Sequence, residues 1–118
     1  MTQSETCWAI SDGAAGNQRQ VLALARALGH APRICRVSLR EPWATLAPRL
    51  TIAAHSAIRL LDGGGIASPW PSLAIGCGRR AALLTRLLRD WSDGQTTTIQ
   101  ILDPRISSSH FDHVITPQ

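Results

Sequence analysis

The sequence predicts an α/β domain: a mostly parallel sheet of about five strands with helices on both faces, making three layers. Three observations predict it. Short apolar runs alternate along the chain with segments of helical periodicity, the pattern of right-handed β–α–β crossovers. The strand runs are apolar almost throughout, as expected when both faces of a sheet are covered. The chain has 118 residues, 44% of them hydrophobic and 17% charged, which suits one folded domain with a real core.

Taken in order, Cys7 to Ile10 reads as a buried strand that ends in the turn Ser11-Asp12-Gly13. From Gly16 the period changes. Val21, Leu24, Ala25 and Leu28 fall at i, i+3, i+4 and i+7, with Arg19, Gln20 and Arg26 on other faces, so an amphipathic helix follows. Asn17 suits its start, and Gly29 suits the left-handed position past its end. Residues 32–39 carry Ile34, Cys35, Val37 and Leu39 and read as a second strand. Trp43, Leu46 and Leu50 have helical spacing, continued by Ala53, Ala54, Ala57, Ile58 and Leu61. Pro48 interrupts it, so the reading is a short helix, a break and a second helix over 53–62, ended by Gly63-Gly64-Gly65. Ser68-Pro69-Trp70-Pro71 is a stiff, extended entry to the strand Leu73 to Cys77. Gly78 turns the chain into a helix with Leu84, Leu87, Leu88 and Trp91 on one face, closed by Gly94. On it, Arg86 with Asp90 and Arg89 with Asp93 are i,i+4 pairs. Thr96 to Leu102 and Phe111 to Thr116 are the last strands, and the second is expected at the sheet edge.

Composition excludes several classes. No apolar run approaches the ~20 residues that span a bilayer, and residues 1–6 lack the basic and apolar regions of a secretory signal. Cys7, Cys35 and Cys77 are odd in number and widely spaced, so they read as buried thiols of a reducing, cytoplasmic compartment. All 12 basic residues are Arg, against 8 acids, for a net charge of +4. They are scattered from Arg19 to Arg105, and beside four Trp there is one Phe and no Tyr for base stacking, so no nucleic-acid partner is expected. His110 and His113 form H-x-x-H without further ligands at confident spacing, and His55 lies among alanines, so no metal is expected.

In an open parallel sheet, ligands bind beyond the carboxyl ends of the strands. Four loops reach that edge: Ser11 to Gln18, Ser38 to Trp43, Gly76 to Arg80 and Asp103 to His110. The first places Gly13 and Gly16 ahead of a helix N-terminus, where free N–H groups favour an anion. G-x-x-G is not the dinucleotide fingerprint, and a chain without Lys has no P-loop. Asp12 is the best-placed carboxylate for a general base, with Ser11, Gly13, Gly16 and Asn17 as substrate-binding neighbours. The third loop offers Gly76, Gly78, Arg79 and Arg80. Two arginines in a first helical turn oppose the helix dipole, which points to an anion held there. Arg79 and the dipole are also placed to lower the pKa of Cys77.

Five fragments in order resemble one family: Trp8-Ala9-Ile10-Ser11-Asp12-Gly13 with Gly16, Asn17 and Gln18; Pro69-Trp70-Pro71-Ser72-Leu73; Ile75-Gly76-Cys77-Gly78-Arg79-Arg80; Gln100-Ile101-Leu102-Asp103-Pro104-Arg105; and Phe111-Asp112-His113-Val114-Ile115-Thr116-Pro117-Gln118. Together they resemble the mitochondrial-fission ELM-type family, whose members look like GT-B glycosyltransferases with two Rossmann-like domains facing a cleft. Here Gly16 meets Asn17 directly, where members usually carry an intervening pair such as His-Glu. Members are roughly twice this length or more, so the chain resembles the N-terminal, Rossmann-like half of a GT-B-like fold. The resemblance implies an acceptor-side domain, not competent alone, with a nucleotide sugar held mostly by a C-terminal domain. Asp12 would then be catalytic, and Arg79 and Arg80 would hold an anionic acceptor group or the donor pyrophosphate. No bound cofactor is implied.

Two other readings remain. Arg40, just past the second strand, lies where an NADP 2′-phosphate is usually read, which suits an oxidoreductase domain. The stretch Trp43 to Leu61, with Arg49 and Arg59, suits a non-catalytic peripheral membrane or division-linked interaction module. The final strand carries the apolar Val114 and Ile115, so a homodimer paired through that edge is also expected.

Overall fold

The computed structural model describes residues 7–12, 15–47, 51, 53–61, 66, 70–101 and 110–115. Gly13, Pro48, Gly63 to Gly65, Ser68-Pro69, the 102–109 part of the fourth loop, and Thr116 lie outside them, as does the side chain of His55. The chain is α/β, with six strands in one sheet. The elements are β1 (Cys7–Ser11), α1 (Ala15–Ala27), β2 (Arg33–Leu39), α2 (Trp43–Leu46), α3 (Ala54–Ala57), β3 (Ile58–Leu60), β4 (Leu73–Cys77), α4 (Arg79–Trp91), β5 (Thr97–Ile101) and β6 (His113–Ile115).

The strand order is β3-β2-β1-β4-β5-β6. Every neighbouring pair is parallel except β2 with β3. Successive side chains in a strand point to opposite faces, and the core divides accordingly. Cys7, Ala9, Leu73, Ile75 and Cys77 meet Val21 and Ala25 of α1 on one face. Trp8, Ile10, Ala74, Val37 and Leu60 meet Ala81, Leu84 and Leu88 of α4 on the other. The three layers are therefore helix, sheet and helix.

Helix α1 ends as its sequence requires. Gly29 adopts φ +86 past α1. Its N–H donates to the Arg26 carbonyl at 3.0 Å, and that of His30 to the Ala25 carbonyl at 2.9 Å, which satisfies the last turn. Leu28 falls beyond the helix and is 49% exposed, so it does not extend the apolar stripe.

The second helix expected over 53–62 is replaced by one turn, α3, and the short strand β3. Ile58 and Leu60 are buried while Arg59 between them is exposed, which is period two hidden inside an apparently helical spacing. Antiparallel pairing (Val37↔Leu60, Ser38↔Arg59, Leu39↔Ile58) gives the backbone a partner that a short amphipathic helix would not have. Leu61, counted with the apolar face, is 53% exposed.

The final strand forms at the edge, as its position in the sequence suggests. Asp112 pins it: its carboxylate accepts from the Thr98 N–H at 2.8 Å and the Thr98 hydroxyl at 3.2 Å, and its own N–H donates to Thr98 Oγ1 at 2.9 Å. Arg89 Nε reaches the other Asp112 oxygen at 3.4 Å, an inter-element contact that i,i+4 spacing does not foresee. Phe111 is buried and Ile115 is 44% exposed. No helix among the described residues is long and apolar enough to cross a membrane.

Candidate functional site

The order of strands reverses between β1 and β4, because the chain leaves β1 towards β2 and later returns on the other side to lay down β4. At such a switch point the loops after the two strands diverge and leave a crevice at their carboxyl ends. The register Ile10↔Gly76 brings the first and third loops to the same height there.

Side chains from both loops join across that crevice. Asn17 Nδ2, in the first turn of α1, donates to Asp12 Oδ1 at 3.1 Å. The Cys77 thiol at the end of β4 donates to Asn17 Oδ1 at 3.3 Å. The chain Cys77–Asn17–Asp12 thus fixes the rotamer of a half-buried carboxylate. Gly78, which follows Cys77, has φ +99, a region that side chains rarely adopt. A Cβ there would stand 2.8 Å from Asn17 Nδ2 and 3.3 Å from Asp12 Oδ2. Only glycine lets the two loops approach this closely.

A third strand braces the turn. Gln100 of β5 is fully buried, and its Nε2 donates to the Gly78 carbonyl at 3.1 Å and the Ile101 carbonyl at 3.2 Å. Its Oε1 has no hydrogen-bond partner among the described residues. That oxygen lies over Gly76, where a Cβ would come within 2.7 Å of it and would also collide with Thr85 Oγ1. Gly76 is therefore a contact glycine, whereas Gly16 is exposed and a Cβ there would meet nothing within 4 Å. From the sequence alone Gln100 stands out only as part of the fragment Gln100-Ile101-Leu102-Asp103-Pro104-Arg105. The signal that marks it is a long polar residue inside the buried strand TTIQI, level with a glycine on the next strand.

The remaining site residues sort plainly. Ser11 is fully buried within β1. Arg79 and Arg80 are exposed in the first turn of α4, which has no acidic residue and no side-chain cap. Burial and then the charge of Asp12 push the Cys77 thiol up to about 11, so the expected lowering by Arg79 and the dipole is overturned. Desolvation at the end of β4, and then the Asp12 carboxylate joined to the thiol through Asn17, raise it instead. Burial likewise pushes Cys7 up to about 11. All three cysteines are buried thiols outside any disulfide. His113 is exposed on β6 and His110 is half-buried. Burial, followed by the Arg86 charge, lowers the pKa of His110. Among the described residues no group of three or more His, Cys, Asp or Glu side chains could hold a metal ion.

Against known proteins, the profile of the mitochondrial fission ELM1 family matches residues 15–118. The chain belongs to the mitochondrial fission ELM1 family. The ELM1 match takes in Asn17, Gly76 to Arg80 and Gln100, and it begins just after Asp12. No curated protein and no solved structure matches the chain.

Proposed function

We propose that this ELM1-family domain is the acceptor-side half of a GT-B-like glycosyl-transfer protein, with the sugar-nucleotide donor held largely by a second Rossmann-like domain. The observation that carries the reading is the Cys77–Asn17–Asp12 network at the sheet's switch point. It gives a carboxylate of fixed orientation at the edge where such sheets take their ligands.

In an inverting transfer, the acceptor hydroxyl oxygen bonds to the anomeric carbon as the bond to the nucleoside diphosphate breaks. The hydroxyl proton must go to a base, and Asp12 is that base. Asn17 holds its Oδ1, and Gly78 keeps the space beside Oδ2 clear of a side chain. Arg79 and Arg80 lie one loop away, where exposed guanidiniums can counter the charge of the departing diphosphate or of an anionic acceptor. A cleft enzyme needs both walls to position two substrates, so the isolated chain turns over nothing.

The test is release of nucleoside diphosphate from a panel of nucleotide sugars, with the chain alone and with an ELM1-family C-terminal domain joined to it. Acceptor-dependent release by the joined protein only is the expected result. Release by the chain alone, or by neither form, contradicts the proposal.

A further inference from the structure

A second polar concavity lies at the same edge of the sheet, one strand away from Asp12. It is a cavity of about 230 Å³ between the end of β2 and the α3–β3 segment, and Ser38, Arg40, Ser56 and Arg59 line it beside the apolar Leu39, Ala57 and Ile58. Strand geometry explains why these residues meet. In the β2–β3 ladder Ser38 pairs with Arg59, and the Arg40 N–H donates to the Ala57 carbonyl at 3.0 Å. Ser38 and Arg59 are cross-strand partners, so their side chains stand on one face, and Arg40 follows Ser38 by two positions just past the end of β2. That face is opposite buried Val37, Ile58 and Leu60. The pairing of β3 with β2 is what brings the two arginines to one cavity.

Among the described residues no acid lines the cavity. Glu41, next in sequence, is turned onto α2, where it accepts from the Thr45 N–H at 3.1 Å and the Thr45 hydroxyl at 2.7 Å. The Arg40 guanidinium is oriented by Trp43, whose ring centroid lies 5.6 Å away. The Ser56 hydroxyl donates to the Ala53 carbonyl at 2.8 Å, so two guanidiniums and the Ser38 hydroxyl make this small concavity a donor-rich, cationic site, the chemistry that suits a tetrahedral oxyanion. The volume is below the ~300–1,000 Å³ of sites for whole drug-sized ligands. It suits one phosphate-bearing group rather than a dinucleotide.

We propose that the cavity between β2 and β3 is a phosphate-ester site, in which Arg40 and Arg59 take the phosphate oxygens and the Ser38 hydroxyl adds a donor. The site does not depend on the glycosyl-transfer reading. The phosphate can be carried by a free ester or by a lipid headgroup, and the experiment separates the two carriers.

The probe is inorganic phosphate, titrated into the ¹⁵N-labelled chain at constant ionic strength, with chloride as control. Saturable amide shifts should appear at Ser38 to Arg40 and Ser56 to Arg59, and Arg40→Gln/Arg59→Gln should weaken binding at least tenfold. Both side chains are exposed, so the double variant should keep its melting temperature and the rest of its spectrum. Sedimentation with phosphatidylglycerol vesicles, against phosphatidylcholine vesicles, then assigns the carrier. Arginine-dependent pelleting that inorganic phosphate competes away means a lipid headgroup, and no pelleting beside saturable phosphate binding means a free ester. Shifts that never saturate, that saturate only around Arg79 and Arg80, or that persist unchanged in the double variant overturn the site.

Discussion

Trp8, Trp70 and Trp91 fill the amino end of the sheet, whereas the carboxyl end of the same strands carries Asp12, Asn17, Cys77 and Gly78. At the amino end the rings of Trp8 and Trp70 meet edge to face at 6.5 Å, those of Trp70 and Trp91 lie 5.6 Å apart, and Arg33 covers Trp8 at 4.8 Å. Large rings bury much area and leave few polar groups to satisfy. At the carboxyl end the groups are small and polar, and glycine stands wherever a side chain would collide with them. One edge consolidates the fold. The other uses glycine to keep backbone and carboxylate close together.

The largest expected effect lies at the tryptophan edge. Trp8 is 3% exposed, so Trp8→Ala should cost about 3–5 kcal/mol in urea unfolding. A cost near that of a surface substitution would erase the contrast. Next comes Gly78→Ala, which adds strain at φ +99 and pushes against Asn17. It should cost about 1–3 kcal/mol. Gly16→Ala is its control: with nothing within 4 Å, it should be neutral or stabilise α1 by about 0.5–1 kcal/mol.

The polar edge also predicts a pH dependence. Cys7 and Cys77 titrate near 11 in the folded chain, above their ordinary value of 9.0. A raised folded pKa contributes stability that is complete below the unfolded value and lost as pH climbs through the folded one. Stability should therefore fall between about pH 9 and pH 11. Asp12→Asn removes one cause of the Cys77 shift, so alkylation of Cys77 by iodoacetamide should begin at lower pH in that variant. Equal alkylation profiles would break the link between the two side chains. The smallest effect on stability belongs to Arg79→Gln and Arg80→Gln. Both side chains are exposed, so each change should stay within about 0.5 kcal/mol. Together they should remove any sulfate ion that high-sulfate crystals hold at the third loop.

Much of the fold is legible in the sequence, because buried parallel strands and an amphipathic helix write strong local patterns. Cys7 to Ser11, Leu73 to Cys77 and α4 can be read almost residue by residue. The segment Ala54 to Leu60 cannot. Three strand residues offer one alternation, and the neighbouring alanines supply a helical spacing that outweighs it until β2 is there to pair with. At the site, the glycines and Asp12 stand out by type and place. The Asn17–Cys77 bond spans 60 positions, and Gln100 acts on a carbonyl 22 positions away, so neither contact leaves a local mark. The direction of the Cys77 shift is not legible in the sequence, because a helix dipole follows from the chain whereas desolvation depends on what the fold places around the thiol.

The division of labour between the two edges is tested most directly by comparing Asp12→Asn with Trp8→Leu, each joined to an ELM1-family C-terminal domain, in one transfer assay with paired melting curves. Asp12→Asn should lower turnover by about 10²–10⁴-fold at an unchanged melting temperature. Trp8→Leu should melt markedly lower and, while folded, should transfer at the wild-type rate. An Asp12→Asn protein that transfers as fast as wild type, or that melts as low as the Trp8 variant, would contradict the account.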